Sequence, residues 1–301
     1  MPAISPELLT LTLALALMVG VTLGLLGGGG SILTVPLLVY VTGLDAKAAI
    51  ATSLVVVGVT AAIGALGHAR EGRVQWRTGI VFGVAGLSGA FLGGLLGGHL
   101  PGTLLLIAFA AMMLITAAAM LRGRPDAQPR EGDLPIPHVI GEGLVVGLVT
   151  GLVGAGGGFL VVPALVLLGG LPMSVAVGTS LLVIALKSLG GLAGYLSSVQ
   201  LDWGFVAAVT VAAVVGSLVG ARLVELVPEE ALRKGFAWFV LAMGVFVLVQ
   251  ELPVQVLAPV LIVLGVVGAG AATCWSFVSS CPLRRVLAPE SSDRPLAGAT
   301  A

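Results

Sequence analysis

Long stretches without charged side chains constrain this chain more than any other feature of its sequence. Residues 178–201 carry one charged side chain, Lys187, and this stretch exceeds the ~20 apolar residues that cross a bilayer. Only 9% of the 301 residues are charged, which excludes a soluble globular enzyme and a disordered chain. The balance of 14 basic and 14 acidic residues excludes a nucleic-acid binder. The fold class that remains is an all-α polytopic membrane protein.

Apolar runs between the charged positions predict the membrane helices. Polar backbone cannot face lipid, and the runs do not alternate apolar and polar residues as barrel strands do, so we interpret each run as a helix. The two 12-residue runs would span ~18 Å, which is too short to cross a ~30 Å apolar core. The predicted helices are 7–26, 31–42, 46–67, 77–98, 102–121, 138–154, 158–169, 173–197, 203–223, 229–250 and 254–273.

The chain contains two copies of one unit, related by an offset of 127 residues. Residues 24–36 (GLLGGGGSILTVP) align with 151–163 (GLVGAGGGFLVVP), and the register continues without a gap to Trp76 and Trp203. From Gly24 to Trp76, 20 of 53 aligned pairs are identical, which is too many for coincidence in a low-complexity composition. We therefore divide the chain into a first repeat (1–121), a cytoplasmic linker (122–137), a second repeat (138–250) and an extra C-terminal helix with a cytoplasmic tail (251–301). Such a duplication is typical of secondary transporters.

The distribution of basic residues predicts that the two copies are inverted. If each copy crosses the membrane five times, counting the short helices, the second copy is inverted and twelve basic residues share one side, with Lys47 on the other. Four crossings would split the basic residues six against seven. Since Lys and Arg concentrate on the cytoplasmic side, we expect the N-terminus outside and the C-terminus in the cytoplasm. The four clusters are Arg70, Arg73, Arg77; Arg122, Arg124, Arg130; Arg222, Arg233, Lys234; and Arg284, Arg285, Arg294.

The glycine-rich break before each short helix is the main candidate for a substrate site. Helix N-termini present unpaired N–H groups and a partial positive charge, which attract anions. Two symmetry-related broken helices near the membrane centre are a sequence sign of a transport site. The alternative is that the glycines only allow close helix packing. The glycines assigned to the site are Gly28, Gly29, Gly30, Gly156, Gly157 and Gly158.

Four hydroxyl residues and one lysine complete the predicted site. Thr52-Ser53 and Thr179-Ser180 occupy equivalent positions early in the next helix of each copy, where they can bind the oxygens of an anion or bond to their own preceding turn. Lys187 lies near the middle of 173–197 without an acidic residue within four positions. An intramembrane lysine is costly and faces a cavity or a partner, so we expect an anionic ligand rather than snorkelling of the side chain to the interface.

The duplicated motif resembles the sulfite exporter TauE/SafE family. The pattern Gly-x-x-Gly-x-Gly-Gly-Gly-x-x-x-x-Pro spans Gly151 to Pro163, and Gly-Thr-Ser-Leu and Gly-x-x-Gly-Tyr follow at Gly178–Leu181 and Gly191–Tyr195. The first copy departs from it with Ala51 before Thr52-Ser53-Leu54 and with His68. The resemblance covers about 7–250 and implies transport of sulfite, sulfonates or related sulfur-containing anions across the inner membrane of a prokaryote.

We therefore expect a secondary transporter of a small anion, most simply sulfite or an organosulfonate, that works by alternating access. The sequence shows no nucleophile elbow and no P-loop, so we predict neither an enzyme nor an ATPase, with no metal and no cofactor. The expected partners are the lipid bilayer, the anion, and a coupling proton or Na⁺. The sequence leaves open whether the protein forms a homo-oligomer. The alternatives are an anion channel of the same fold and an accessory membrane subunit.

Overall fold

The computed structural model describes residues 6–26, 29–122, 136–154, 161, 165, 171, 173–223 and 229–252. Within this part of the chain every regular element is helical. These residues belong to the compact unit Met1–Glu251, apart from Leu252. Gly28, Gly156, Gly157, Gly158 and the predicted helix 254–273 lie outside the described residues, as does 158–169 except for Val161 and Leu165.

The long helices begin and end within a few residues of their predicted bounds. The bounds are α1 Pro6–Leu26, α2 Thr34–Pro36, α3 Ala46–Arg70, α4 Trp76–His99, α5 Gly102–Arg122, α6 Ile136–Val153, α7 Met173–Tyr195, α8 Trp203–Leu223 and α9 Glu229–Glu251. Of these described helices, five are long and apolar enough to cross a membrane: α1, α3, α4, α7 and α8.

The predicted short helix 31–42 is helical but is not one regular α-helix. It consists of a 3₁₀ turn at Gly29–Leu33, the single α-helical turn α2 and a π-helical turn at Leu37–Val41. Pro36 has no amide hydrogen and cannot make the i→i−4 bond of a regular helix, which explains the change of helical type along the segment. The segment ends at Gly43, whose φ of 69° is a conformation that glycine adopts without strain.

Aspartates cap two of the long helices. The Asp45 side chain accepts a hydrogen bond from the Lys47 amide at 3.1 Å, and Asp202 Oδ1 accepts from the amides of Gly204 and Phe205 at 3.0 and 3.1 Å. Each cap satisfies amide groups that the first turn of a helix leaves unpaired. Both long helices therefore have defined starts, at Ala46 and Trp203.

Glycine contacts join α1 to α8, and a matching set joins α4 to α6. A Cβ at Gly20 or Gly24 would lie against the carbonyl of Ala213 or Ser217. The equivalent positions 127 residues away, Gly147 and Gly151, stand in the same relation to Gly86 and Ala90. The contacts advance in the same direction along both helices, so each pair is parallel, and the backbones approach closely because the side chains are absent. The reverse contacts match as well: Gly216 with Leu17, Gly220 with Val21, Gly89 with Leu144, and Gly93 with Leu148.

The equivalent helices α3 and α7 cross each other in opposite directions. A Cβ at Gly64 would lie 3.1 Å from Leu181 Cδ1, and a Cβ at Gly191 would lie 3.2 Å from Leu54 Cδ1. Gly64 is equivalent to Gly191, and Leu54 is equivalent to Leu181. Exchanging the two copies therefore converts one contact into the other. An antiparallel crossing of equivalent helices is the relation that inverted copies require.

The core follows α3 and the short segment before it, whereas the outer helices present apolar side chains outward. Ile32, Leu38 and Ile50 are fully buried. Met18 and Val211, by contrast, are 62% and 63% exposed. Apolar side chains on the outside of a helix assembly are suited to contact with lipid rather than water. The chain is thus a multi-pass membrane protein.

Candidate substrate-binding site

Ser53 joins the first copy to the glycine break of the second copy. Its Oγ lies 2.6 Å from the carbonyl oxygen of Gly154 and 2.8 Å from that of Ile50, so the single hydroxyl proton has two acceptors within reach. Gly154 follows α6 directly and has a φ of 73°, and a Cβ at this position would also collide with the Ile50 side chain. Both backbone conformation and packing therefore require glycine where the second glycine-rich run begins.

The remaining predicted residues of the first copy lie close to this contact in the chain. Thr52 is 1% exposed, and it precedes the fully buried Ser53 on α3. Gly29 and Gly30 begin the 3₁₀ turn that leads into α2. Gly28 and the second-copy glycines Gly156, Gly157 and Gly158 lie outside the described residues, so their role as anion donors stays a prediction.

Thr179 and Ser180 are fully buried on α7 and bond to protein groups. Thr179 Oγ1 accepts a hydrogen bond of 3.0 Å from the amide of Gln75, the N-cap residue of α4. Ser180 Oγ donates to the carbonyl of Val177 in its own preceding turn at 2.8 Å. Ser180 thus makes the local bond that is the ordinary alternative to ligand binding, while Thr179 caps a neighbouring helix.

The two Thr-Ser pairs lie at different levels of the α3–α7 crossing. Leu54 contacts Gly191, and Leu181 contacts Gly64. Ten residues separate these contacts on each helix, which corresponds to roughly 15 Å along the axis. In this arrangement a small anion cannot touch both pairs at once, and Lys187 lies at a level between them.

Lys187 is the most deeply buried charged side chain in the described part of the chain. It is 1% exposed, and its Nζ has no hydrogen-bond partner among the described residues. The side chain leaves α7 opposite Gly86, where a Cβ would lie 3.7 Å from Lys187 Cβ. The same glycine faces Gly143 and Gly147 of α6. The stem of the lysine therefore packs at the place where α4 and α6 approach each other through glycines.

Two further buried hydroxyls were not predicted from the sequence. The Oγ1 of Thr34 and the Oγ of Ser188 are buried and have no hydrogen-bond partner among the described residues. Thr34 lines a small apolar cavity between α1, α3 and α8. Ser188 follows Lys187 and faces Gly58 of α3. Thr34 lies inside the duplicated motif and is replaced by Val161 in the second copy, a difference that could have drawn attention to it.

Tyr195, the last residue of the second-copy motif, holds the end of α6. Its hydroxyl donates to the Leu152 carbonyl at 2.6 Å, two residues before the Gly154 that contacts Ser53. Its equivalent in the first copy is His68, whose Nδ1 is buried without a partner among the described residues. The two copies therefore differ at this position in both residue type and bonding.

Within the described residues no group of three His, Cys, Asp or Glu side chains is arranged to hold a metal ion.

Comparison with known proteins identifies the family. The sulfite exporter TauE/SafE family matches residues 12–247. A probable membrane transporter protein of Xylella fastidiosa is 35% identical over 238 residues, which cover 77% of this chain and 91% of the relative. A probable membrane transporter protein of Bacillus subtilis is 28% identical over 72% of this chain and 90% of the relative. No solved structure matches the chain. The family and these relatives carry the names of transporters rather than of enzymes, and the chain belongs to the sulfite exporter TauE/SafE family.

Proposed function

We propose that this chain is a secondary transporter that carries a small anion, sulfite or an organosulfonate, across the inner membrane by alternating access. The observation that carries the proposal is Lys187, a lysine 1% exposed at mid-helix with no partner for its Nζ among the described residues. Buried charges in proteins are paired, and intramembrane cations mark ligand pathways. A small anion is the ligand that would complete the pair.

The helix directions support the inverted arrangement that alternating access uses. Both α6 and α7 run parallel to α4: Gly147 contacts Gly86, Leu182 contacts Gly79, and Gly194 contacts Gly94. The shared direction of α6 and α7 agrees with an odd number of crossings per copy. We propose accordingly that the N-terminus is outside and the C-terminus is cytoplasmic.

Ser53 and Gly154 support a site between the copies. Because Ser53 of the first copy bonds to the glycine break of the second, a movement of one copy against the other changes the surroundings of this break. The glycines, Thr52, Ser53, Thr179, Ser180 and Lys187 are the groups that we propose to face the anion during the cycle. Since the two Thr-Ser pairs are roughly 15 Å apart, we propose that each pair serves a different stage.

The test is labelled flux into proteoliposomes that contain the purified protein. We expect saturable uptake of ³⁵S-labelled sulfite, isethionate or sulfoacetate, with chloride as the control anion. Lys187→Gln should weaken apparent affinity about ten- to a hundredfold, because a hydrogen bond to a charged group contributes about 1.5–3 kcal/mol. Lys47→Gln is the matched control, since Lys47 Nζ caps the Gly98 carbonyl at the end of α4.

Counterflow distinguishes the transporter from a channel. Substrate placed inside the vesicles should accelerate the entry of labelled substrate if two gates alternate. A flux that rises linearly with concentration and ignores internal substrate would favour the anion channel. If protein shown to be folded moves none of the three sulfur anions, the proposed function is wrong.

A further inference from the structure

Lys187 has no acidic counterpart along most of the helices around it. The sequence between Glu142 and Asp202 contains no acidic residue, and neither do the ranges of α3, α4 and α8. The residues between α6 and α7 belong to this stretch without acidic side chains. A charged Lys187 in the empty protein would thus depend on a carboxylate from a more distant place.

Apart from Glu142, the titratable groups on the elements packed against α7 lie near the ends of those elements. Arg77 and His99 are nine and thirteen residues from Gly86 on α4, or roughly 13 and 20 Å along the axis. Glu142 is the nearest acidic residue on α6, beside the Gly143 that faces Gly86, yet it makes no hydrogen bond to Lys187 Nζ. The complete set is Lys47, His68 and Arg70 on α3, Arg77 and His99 on α4, and His138 and Glu142 on α6.

A bare ammonium group at this position would be unfavourable. The penalty for burying an unpaired ion is several kcal/mol, and a buried charge loses its proton unless a partner is present. A bound anion supplies such a partner. Once the anion leaves, the charged form of the side chain again lacks a partner, and the uncharged amine is the form that fits the empty site.

We propose that Lys187 carries the coupling proton of transport. The amine is uncharged in the empty protein, accepts a proton from water on the loading side as the anion binds, and returns it to water on the other side as the anion leaves. One proton and one anion move together, and no bond within the substrate forms or breaks. This inference rests on the proposed function, because it assigns the coupling ion of the same site.

The proposal fixes the charge moved in each cycle. A monoanion such as isethionate with one proton moves no net charge. A dianion such as sulfoacetate with one proton moves one negative charge. Uptake of sulfoacetate should therefore generate a membrane current, and uptake of isethionate should generate none.

The decisive experiment measures proton and anion movement in the same proteoliposomes, with a pH-sensitive dye inside. Sulfonates are the preferred probes, because a sulfonate stays ionised at neutral pH and cannot itself carry a proton. If only sulfite is transported, the measurement is made at alkaline pH and protein-free vesicles correct for leakage of the neutral form. We expect about one proton per anion and no dependence on Na⁺.

Lys187→Arg separates coupling from binding. Arginine keeps its charge in proteins, so the variant should still bind the anion and exchange it for another. Its empty, charged site should not change back from one side of the membrane to the other, and this step is required for net uptake. We expect counterflow exchange within about threefold of wild type and net uptake reduced about a hundredfold, given the several kcal/mol for an unpaired buried ion. Lys47→Arg is the matched control, and we expect it to keep coupled net uptake.

Each outcome bears on one proposal. Anion flux without a pH change in the vesicles, or flux driven by a Na⁺ gradient, overturns the proton role of Lys187 and leaves anion transport standing. Coupled net uptake by Lys187→Arg at the wild-type rate also overturns it. The wild-type proton measurement decides the matter if the arginine variant does not fold. Absence of saturable flux for every sulfur anion contradicts the proposed function instead.

Discussion

At the scale of single residues, equivalent positions in the two copies have different tasks. Ser53 donates a hydrogen bond across to the second copy, whereas Ser180 donates to its own helix. Thr179 caps α4 through the Gln75 amide. The sequence identified these hydroxyls as a matched set, because duplication preserved their residue types. It could not distinguish their partners, since these depend on which neighbouring helix comes within 3 Å.

Alanine substitution of the two equivalent serines should therefore have unequal effects. Ser53→Ala removes the donor to the Gly154 carbonyl and should lower stability by about 1–3 kcal/mol, the usual cost of an unsatisfied buried polar group. Ser180→Ala removes a local bond to a carbonyl within α7 and should cost less than about 0.5 kcal/mol. Thermal unfolding of the purified variants in detergent measures the difference. Equal shifts in melting temperature would contradict the cross-copy bond of Ser53.

At the scale of helices, glycine decides which pairs touch backbone to backbone. The interfaces of α1 with α8 and of α4 with α6 use equivalent glycines, but the surroundings of α3 and α7 are not equivalent. Gly194 of α7 lies against the Phe91 carbonyl of α4, while its equivalent Gly67 has no atom within 4 Å of a Cβ at its position. Helix bounds were predictable from apolar runs and charges. The contacts of each glycine were not, because the runs are apolar all round and show no preferred face.

The same substitution at these two glycines should have opposite effects. Gly67→Ala should raise stability by about 0.5–1 kcal/mol, because alanine favours a helix interior over glycine. Gly194→Ala should lower it by about 1–3 kcal/mol, since a Cβ forces α4 and α7 apart. Melting temperatures of the two variants and of the double variant test this expectation. A loss of stability at Gly67 would show that another surface covers it in the membrane.

At the scale of the whole molecule, the charge pattern makes a prediction that the helix directions support. Five crossings per copy put Arg70 and Arg222 on the same, cytoplasmic side, whereas four crossings put Arg222 outside. Both side chains are exposed at the end of a helix. Arg70→Cys and Arg222→Cys, in a chain with Cys274 and Cys281 replaced by serine, should resist a membrane-impermeant maleimide in intact cells and react after permeabilisation. Lys47→Cys serves as the outside reference. Labelling of Arg222→Cys in intact cells would overturn the five-crossing count.

The repeat, the family and the isolation of Lys187 were all predictable from the sequence, since each depends on residue type and spacing. The crossing that separates the two Thr-Ser pairs depends on how α3 and α7 meet, and the position of Gly86 between α6 and Lys187 depends on three helices at once. The buried hydroxyl of Ser188 was missed because a single hydroxyl in an apolar run forms no pattern, and for Thr34 the only signal was its replacement by Val161 in the second copy. The candidate residues thus follow from the sequence, and their role in binding stays a prediction, while their arrangement in space could not be predicted.

The unlike pair Thr60 and Lys187 has a consequence for how such a protein could be encoded. These equivalent positions lie near the level at which Gly58 meets Ser188, where α3 and α7 cross. A homodimer of identical halves would carry a lysine at both positions or at neither. Two lysines would place like charges side by side in an apolar interior, and none would leave an anion without a counter-charge. A single lysine at this level therefore requires two halves of different sequence, which a duplicated and diverged gene provides.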